Sequence, residues 1–532
     1  MSLTELGVNA GKVETILRDA SYIRDPLVAF ETLCADQAQA MLLESAEIES
    51  KDNLKSLVLV DAAVRLECQG QQVSCVALNE NGEHVLDIIE ANCPTGLQCQ
   101  RQTAQLQLTC NADTSQSDED QRLKQASVFD GLRLIISHIQ AIRDIPHAVF
   151  LGGVFAYDLL ATFEQLPDVS ESENTCPDYV FYLAETLLRI DHQTQTTQVI
   201  GSVFSGPNVA NAYLRVSQRV EQLTSAIGNL PNSLSSMPQH HSAPSLSVSK
   251  NDDEFINDVT ALKEHILAGD IFQVVPSRTF SLPCPSSIHA YAKLRAQNPS
   301  PYMFYLKDKD FCMFGASPES ALKYAADTNV VEIYPIAGTR PRGKRADGSY
   351  DADLDSRIEL NLREDHKEKA EHIMLVDLAR NDVARVSKPG TRFVKDLLKV
   401  DRYSHVMHLV SRVMGELRDD LDALHAYQAC MNMGTLVGAP KVSAATLIRG
   451  VERQRRGSYG GAVGYLNGDG DMDSCIVIRS AFVRNGTAYI QAGAGVVYDS
   501  DPQSEADETR SKAQAVISAI MSCYEQDKGD TQ

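Results

Sequence analysis

The chain has no tryptophan among its 532 residues, an absence that chance explains poorly at this length. Cationic residues are scarce too: 49 Lys and Arg stand against 71 Asp and Glu, for a net charge of −22. A phosphate backbone is gripped by clustered Lys and Arg, so a nucleic-acid partner is excluded and the acidity reads as a contribution to solubility. The longest apolar stretch, Ala148 to Phe163, contains Asp158 and falls short of the roughly 20 residues that a spanning helix requires. The N-terminal MSLTELGVNAGK lacks the basic-then-apolar pattern of a signal peptide, so no membrane partner and a cytoplasmic location are expected. The 12 cysteines form no CxxC pair and no Cys/His cluster at zinc spacing. Reduced, mostly buried thiols are expected.

What is present fits a soluble globular protein, with 43% of residues hydrophobic and 23% charged, and the length implies two large domains or a composite of them. Asn111 to Gln121 reads as an acidic loop, and the Ser-, Pro- and Asn-rich stretch 229–253 as a linker between an N-terminal domain, 1–228, and a second domain, 254–525. Periodicity predicts strands at Leu57 to Leu66 and Val180 to Ile190 and helices at Leu132 to Ile142 and Ala210 to Ile227. Beyond the linker it predicts a helix at Glu254 to Ala268, a strand at Phe311 to Gly315 and a long helix from about Asp365 to Asp382. Strands near Gly460 to Leu466 and Ile476 to Val483 are expected to pair through the turn NGDGD. Strands in tight-turned succession with helices between blocks imply an α+β fold with large, mostly antiparallel sheets.

Tyr334 to Gly343 reads YPIAGTRPRG, a tight turn carrying Thr339, Arg340 and Arg342. Its glycine and prolines would let backbone approach a ligand while arginine grips a small anion. Glu368 and Glu371 share one face of the long helix, and Glu505 and Glu508 share a face of a last helix opened by Asp501 and Pro502. Either pair alone suits a solvated face; together they could place four oxygen ligands around one hard ion, and Mg²⁺ fits that chemistry. Gly338 to Lys344 spells GxxxxGK, but Arg345 stands where a nucleotide loop needs Ser or Thr. Asp469, Asp471 and Asp473 alternate as in a calcium loop, yet Ser474 and Ser480 occupy its required Gly and Glu positions. His405 and His408 stand in RYSHVMHLVSRV, where an isolated His is more often structural than catalytic. Arg479 inside an apolar strand calls for a buried anion, and Gly493-Ala494-Gly495 removes bulk beside it.

Taken in order, PIAGTRPRG, EHIMLVDLARND, YSHVMHLVS, GTLVGAPK, YGGAVGY, IVIRS, QAGAGVV and SDPQSEADET resemble the chorismate-utilising enzymes, and within them the large-component (component I) anthranilate synthases. The resemblance covers roughly Phe255 to Cys523, and LLESAEIES (Leu42 to Ser50) and GGVFAYD (Gly152 to Asp158) extend it into the N-terminal half. It implies a lyase, an oxo-acid-lyase, that turns chorismate and ammonia into anthranilate and pyruvate, the first step of tryptophan biosynthesis. Mg²⁺ would be held by Glu371 and Glu508, with Glu368 and Glu505 in support. Arg479 and Tyr459 match the grip on the enolpyruvyl carboxylate, while Gly338, Thr339, Gly493, Ala494 and Gly495 match substrate contacts, Thr339 among the catalytic groups. Glu319, in GASPES, matches the acid for the leaving hydroxyl, and His408 the histidine tied to pyruvate elimination.

Gln273 and Ala337 stand where sibling synthases carry a water-activating lysine and a ring-attacking lysine, and both favour ammonia addition completed by elimination. Aminodeoxychorismate synthase and a non-catalytic regulatory subunit are the competing expectations. Ser45, Pro301, Tyr302 and Met303 match the site for tryptophan as feedback inhibitor, which suits a Ser hydroxyl beside Met and Tyr. No cysteine flanked by glycines in a strand-to-helix turn is visible, so glutamine would be used through a separate amidotransferase subunit, component II, in a hetero-oligomer. The missing tryptophan is in keeping with an enzyme made when tryptophan is scarce.

Overall fold

The computed structural model describes residues 3–45, 54–110, 118–237, 244–345, 347–403 and 406–524. His405 and parts of the acidic loop, of the linker, of the C-terminus and of LLESAEIES lie outside the described residues. The expected α+β architecture is present. Among the described residues, 23 strands join in one hydrogen-bonded network and two short ones pair separately.

The hub is the strand Lys55–Gln69, whose interior is buried along nearly its whole length. It runs antiparallel to Tyr179–Asp191, and each of the two leads into a different layer. From Lys55–Gln69 the ladder passes through Ala40–Glu44 to Tyr302–Lys307, Cys312–Ser317, Ser480–Arg484, Thr487–Gly493 and Ser277–Pro283. From Tyr179–Asp191 it passes through Phe150–Phe155 to Ala462–Asn467, Met472–Ile476, Ser320–Ala325, Val330–Ile333 and Val406–Glu416. Strands from before and after residues 229–253 thus share both layers, at the rungs Glu44–Met303 and Val154–Val463. The core crosses the same line, with the Phe155 and Tyr427 rings stacked 4.4 Å apart.

At the second seam Gly153 faces Gly464 directly. A Cβ added to Gly153 would fall 2.2 Å from the Val180 carbonyl, and one on Gly464 2.1 Å from that of Asp473. Asp158 pins the next stretch: it pairs with Arg449 at 2.9 Å and accepts the N–H groups of Arg456 and Gly457, both at 2.9 Å. The residue that interrupts the apolar run is therefore a buried tie to the far half of the chain.

The two carboxylate helices start as their caps dictate. Asp365 accepts from the Lys367 and Glu368 amides to open His366–Val386, and Asp501 accepts from Ser504 before Pro502–Met521. Three expectations are corrected. Ile139 leaves the helix Asp130–His138, and the chain then pairs in parallel with Lys12 and Val13. The hairpin partner of Ala462–Asn467 is Met472–Ile476, because Arg479 takes a φ of +51° and breaks the run before Ser480–Arg484 joins the other layer. Ile336–Pro341 is a bulged edge strand on Val406–Glu416 where a tight turn was expected; Gly338, with φ +70°, makes the bulge. All 12 cysteines are free, and only Cys93, Cys99 and Cys312 are half-buried. No described helix is long and apolar enough to cross a membrane.

Gly153→Ala is expected to lower the unfolding free energy by about 1–3 kcal/mol, since backbone at the seam must move to admit a methyl group. Urea unfolding checks this, and an unchanged midpoint would show that the seam has slack.

Candidate active site

The carboxylate helices, the bulged strand and the end of Thr487–Gly493 enclose a cavity of about 490 Å³. The bulge at Gly338 turns Thr339 toward His408 across the ladder, and Thr339 Oγ1 lies 3.0 Å from His408 Nδ1. Burial is the first cause that holds the imidazole down to about 4, so His408 is neutral at physiological pH. The edge of the Tyr403 ring, 5.2 Å away between centroids, fixes its plane.

The expected anion grip at Arg340 and Arg342 is not free. Arg340 is held by Asp365 at 2.8 Å and Glu368 at 2.9 Å, and Arg342 by Asp355 at 2.9 Å. Arg479 takes that role geometrically: it lines the cavity, has no carboxylate partner among the described residues, and has its pKa lowered by burial. Its neighbour Tyr459 is buried, pushed up to about 12 and hydrogen-bonded by the Gly493 amide. A guanidinium and a phenol that both donate make an anion site at this end.

Glu319 also faces the cavity. Burial pushes its carboxyl up to about 8, against a 3.0 Å hydrogen bond from Thr435 Oγ1 that lowers it. The group therefore keeps its proton at neutral pH, the state an acid catalyst needs.

The four helix glutamates line another wall. Glu371 is pushed up to about 7, first by burial and then by Glu368 and Glu508. Glu368 has Arg340 as counter-ion, and Glu508 has Lys512 at 2.6 Å. Burial also raises Glu505, whose buried Oε2 has no partner. Like charges crowded against an orphaned carboxylate oxygen fit a hard divalent cation, and an all-oxygen donor set suits Mg²⁺. No three such ligands among the described residues are already drawn together, so a cation would gather them and displace the Glu371 proton.

Gly493 and Gly495 line the cavity, and a Cβ on either would come 2.9 Å from Tyr459 Oη or Gln273 Nε2 respectively. Ala494 does not line it: its side chain is buried and its amide bonds the Pro276 carbonyl at 3.1 Å. Ser45, Tyr302 and Met303 line a second cavity of about 830 Å³; Pro301 lies in a neighbouring one of about 290 Å³, which Tyr302 also lines. The sequence reading passed over Thr435, inside GTLVGAPK, and Lys512. The second was detectable, being one helical turn beyond Glu508 on the same face; Thr435 reaches Glu319 only through the fold.

The sequence profile of the chorismate binding enzymes matches residues 42–518. Anthranilate synthase component 1 of Vibrio cholerae is 58% identical over 516 residues, which cover 96% of this chain and 97% of that protein. The Escherichia coli K12 counterpart is 54% identical over 514 residues, covering 96% and 98%. The crystal structure of anthranilate synthase component I from Streptococcus pneumoniae superposes with a TM-score of 0.66 at 26% identity, over 88% of this chain and 93% of that one. MenF, the menaquinone-specific isochorismate synthase of Escherichia coli, shares the fold, with a TM-score of 0.63 at 16% identity over 97% of each chain.

A carboxyl whose pKa is raised on folding stabilises the fold below its unfolded value and loses that contribution as pH rises through the folded one. For Glu319 this window runs from 4.5 to about 8. Glu319→Gln is therefore expected to gain thermal stability over the wild type between pH 5 and pH 9. Melting curves at the two pH values check it, and a difference that does not change with pH would mean that Glu319 is not the buried acid.

Proposed function

The chain belongs to the chorismate-binding enzyme family, and from that premise we propose that it is the large component of an anthranilate synthase, a lyase converting chorismate and ammonia into anthranilate, pyruvate and water. The observation that carries this reading is one cavity with a protonated acid, a guanidinium and phenol grip for a carboxylate, and a wall of glutamates short of a cation. Chorismate has two carboxylates and a hydroxyl that must leave, and each finds a counterpart there.

Arg479 and Tyr459 hold the enolpyruvyl carboxylate, and Gly338, Thr339, Gly493 and Gly495 let the ring lie against backbone. Ammonia adds at C2 while the Glu319 carboxyl gives its proton to the departing C4 hydroxyl, which leaves as water. Neutral His408, held by Thr339 Oγ1, then suits removal of the C2 proton as the enolpyruvyl C–O bond breaks and pyruvate departs. Glu371, Glu508, Glu368 and Glu505 would hold Mg²⁺, which when bound neutralises the ring carboxylate and stabilises charge developing on the ring.

The nucleophile follows from what is missing. Gln273 lines the cavity with a buried Oε1 that has no partner, and an amide cannot deprotonate water. Ala337 lines it without an amine that could attack the ring. Ammonia is therefore the nucleophile, supplied from glutamine by a separate amidotransferase subunit, as the name component 1 in the relatives suggests. Tryptophan, the end product, would occupy the cavity of Ser45, Tyr302 and Met303 as feedback inhibitor, in keeping with its mix of apolar and polar walls.

Chorismate, Mg²⁺ and ammonium salt are expected to yield anthranilate and pyruvate in equal amounts, seen by fluorescence and chromatography. An amino-chorismate product without pyruvate would move the chain to a sibling activity. Glu371→Gln is expected to lower Mg²⁺ affinity or activity by about 10- to 100-fold, and unchanged turnover would remove the metal assignment. In the wild type, kcat/KM should fall above pH 8 as Glu319 loses its proton, and Mg²⁺ should bind more weakly below about pH 7 as Glu371 gains one. Ser45→Leu or Met303→Thr should desensitise the enzyme to tryptophan in steady-state assays; full sensitivity in both would empty the proposed inhibitor site.

A further inference from the structure

Three cavities stand in a row and share walls. Tyr302 lines both the cavity of Ser45 and Met303 and the one of about 290 Å³, and Pro318 and Ile336 line both the latter and the active-site cavity. The strand Tyr302–Lys307 lies between Ala40–Glu44 and Cys312–Ser317, so its rungs run straight across: Glu44 to Met303 to Ala316, and Tyr302 to Ser317. Beyond Ala316, its amide donates to the Arg479 carbonyl at 3.1 Å. Beyond Ser317 comes the turn that presents Glu319. The Ser317 side chain is fully buried and clamps that turn, its Oγ donating to the Glu319 carbonyl at 3.2 Å and accepting the Glu319 amide at 3.4 Å. Pro318 between them fixes φ and keeps the turn stiff.

We propose that Ser317 is a positioning residue for Glu319, and that through the Tyr302–Ser317 rung the occupant of the Ser45 and Met303 cavity decides how Glu319 is aimed. The proposal rests on the reading of the two cavities given above and adds the route between them. A ligand that shifts Tyr302 and Met303 displaces the facing strand through main-chain hydrogen bonds. The end of that strand carries the acid through Ser317 and touches the anion grip through Ala316. The Ser317 hydroxyl is the one side-chain link this route uses, and both ends of the substrate are affected together. Removing the Ser317 hydroxyl leaves the rungs in place but lets the Glu319 turn relax independently of them.

The absence of tryptophan from the chain makes the ligand the only indole in solution, so its binding is read directly by indole fluorescence on the full-length chain. Turnover of chorismate with Mg²⁺ and ammonium is measured in parallel. In the wild type, saturating tryptophan should lower kcat/KM by a factor in the usual span of roughly 5 to 150. Ser317→Ala should bind tryptophan as the wild type does, lose most of that factor, and show its alkaline pH limb displaced from the wild-type position. A loss of packing alone would move neither the limb nor the coupling while leaving tryptophan binding intact. Ser317→Cys, which restores the volume without a comparable hydrogen bond, should behave like Ser317→Ala, and melting curves confirm that both are folded. Wild-type coupling and an unmoved limb in both variants would overturn the proposal alone. A wild type that neither binds tryptophan nor responds to it would overturn the feedback reading and the route together.

Discussion

A carboxyl group taken out of water must keep its proton or find a cation, and this one constraint organises the cavity. Glu319 is buried, and neither the Thr435 hydroxyl nor the charge of Lys512 offsets that burial, so it stays protonated. Glu371 has two like-charged neighbours and sits at the balance point near 7. Glu368 and Glu508 have arginine and lysine beside them. Carboxyl groups around one small volume thus differ in charge state because their surroundings differ, which separates a proton donor from a cation-binding wall without any difference in residue type.

Keeping such groups dry requires walls that do not yield, and the sheet supplies them. In each layer a block of strands from the first half of the chain meets a block from the second at one seam, so the sheets that carry the cavity are hydrogen-bonded to the N-terminal half. Asp158, with Arg449 and the Arg456 and Gly457 amides, ties the same two halves at a third place. Arg456 in turn reaches the Leu436 and Val275 carbonyls beneath Tyr459, so the tie continues to the edge of the anion grip.

Much of this was legible in the sequence because helices announce themselves locally. A helix starting near Asp365 and another capped by Asp501, each with glutamates three residues apart, place four carboxylates on two helix faces from the sequence alone. The motif strings also brought Gly338, Thr339, His408, Tyr459 and Arg479 to one site. What was not legible depends on partners far away in the chain. That Arg340 and Arg342 are already held by Asp365, Glu368 and Asp355 follows from how a helix lies over an edge strand, and no spacing rule expresses it. Ala494, inside a motif, follows the last residue of Thr487–Gly493 and is buried where its amide bonds the Pro276 carbonyl, a partner more than 200 residues away. The hairpin expectation differs because the apolar run continues past Arg479 in the sequence, while the backbone there turns left-handed.

The pairing of early strands with late ones at both seams has a consequence for how the molecule comes into being. Phe150–Phe155 finds its far neighbour only when Ala462–Asn467 has been made, roughly 300 residues later, and at about 5–20 residues per second of synthesis that is a wait of some tens of seconds. Through that interval the nascent N-terminal half carries open, apolar strand edges of the kind that invite pairing with other chains. Until the late strands arrive, those edges are the part of the nascent chain most exposed to pairing with other chains, a hazard that the finished ladders remove.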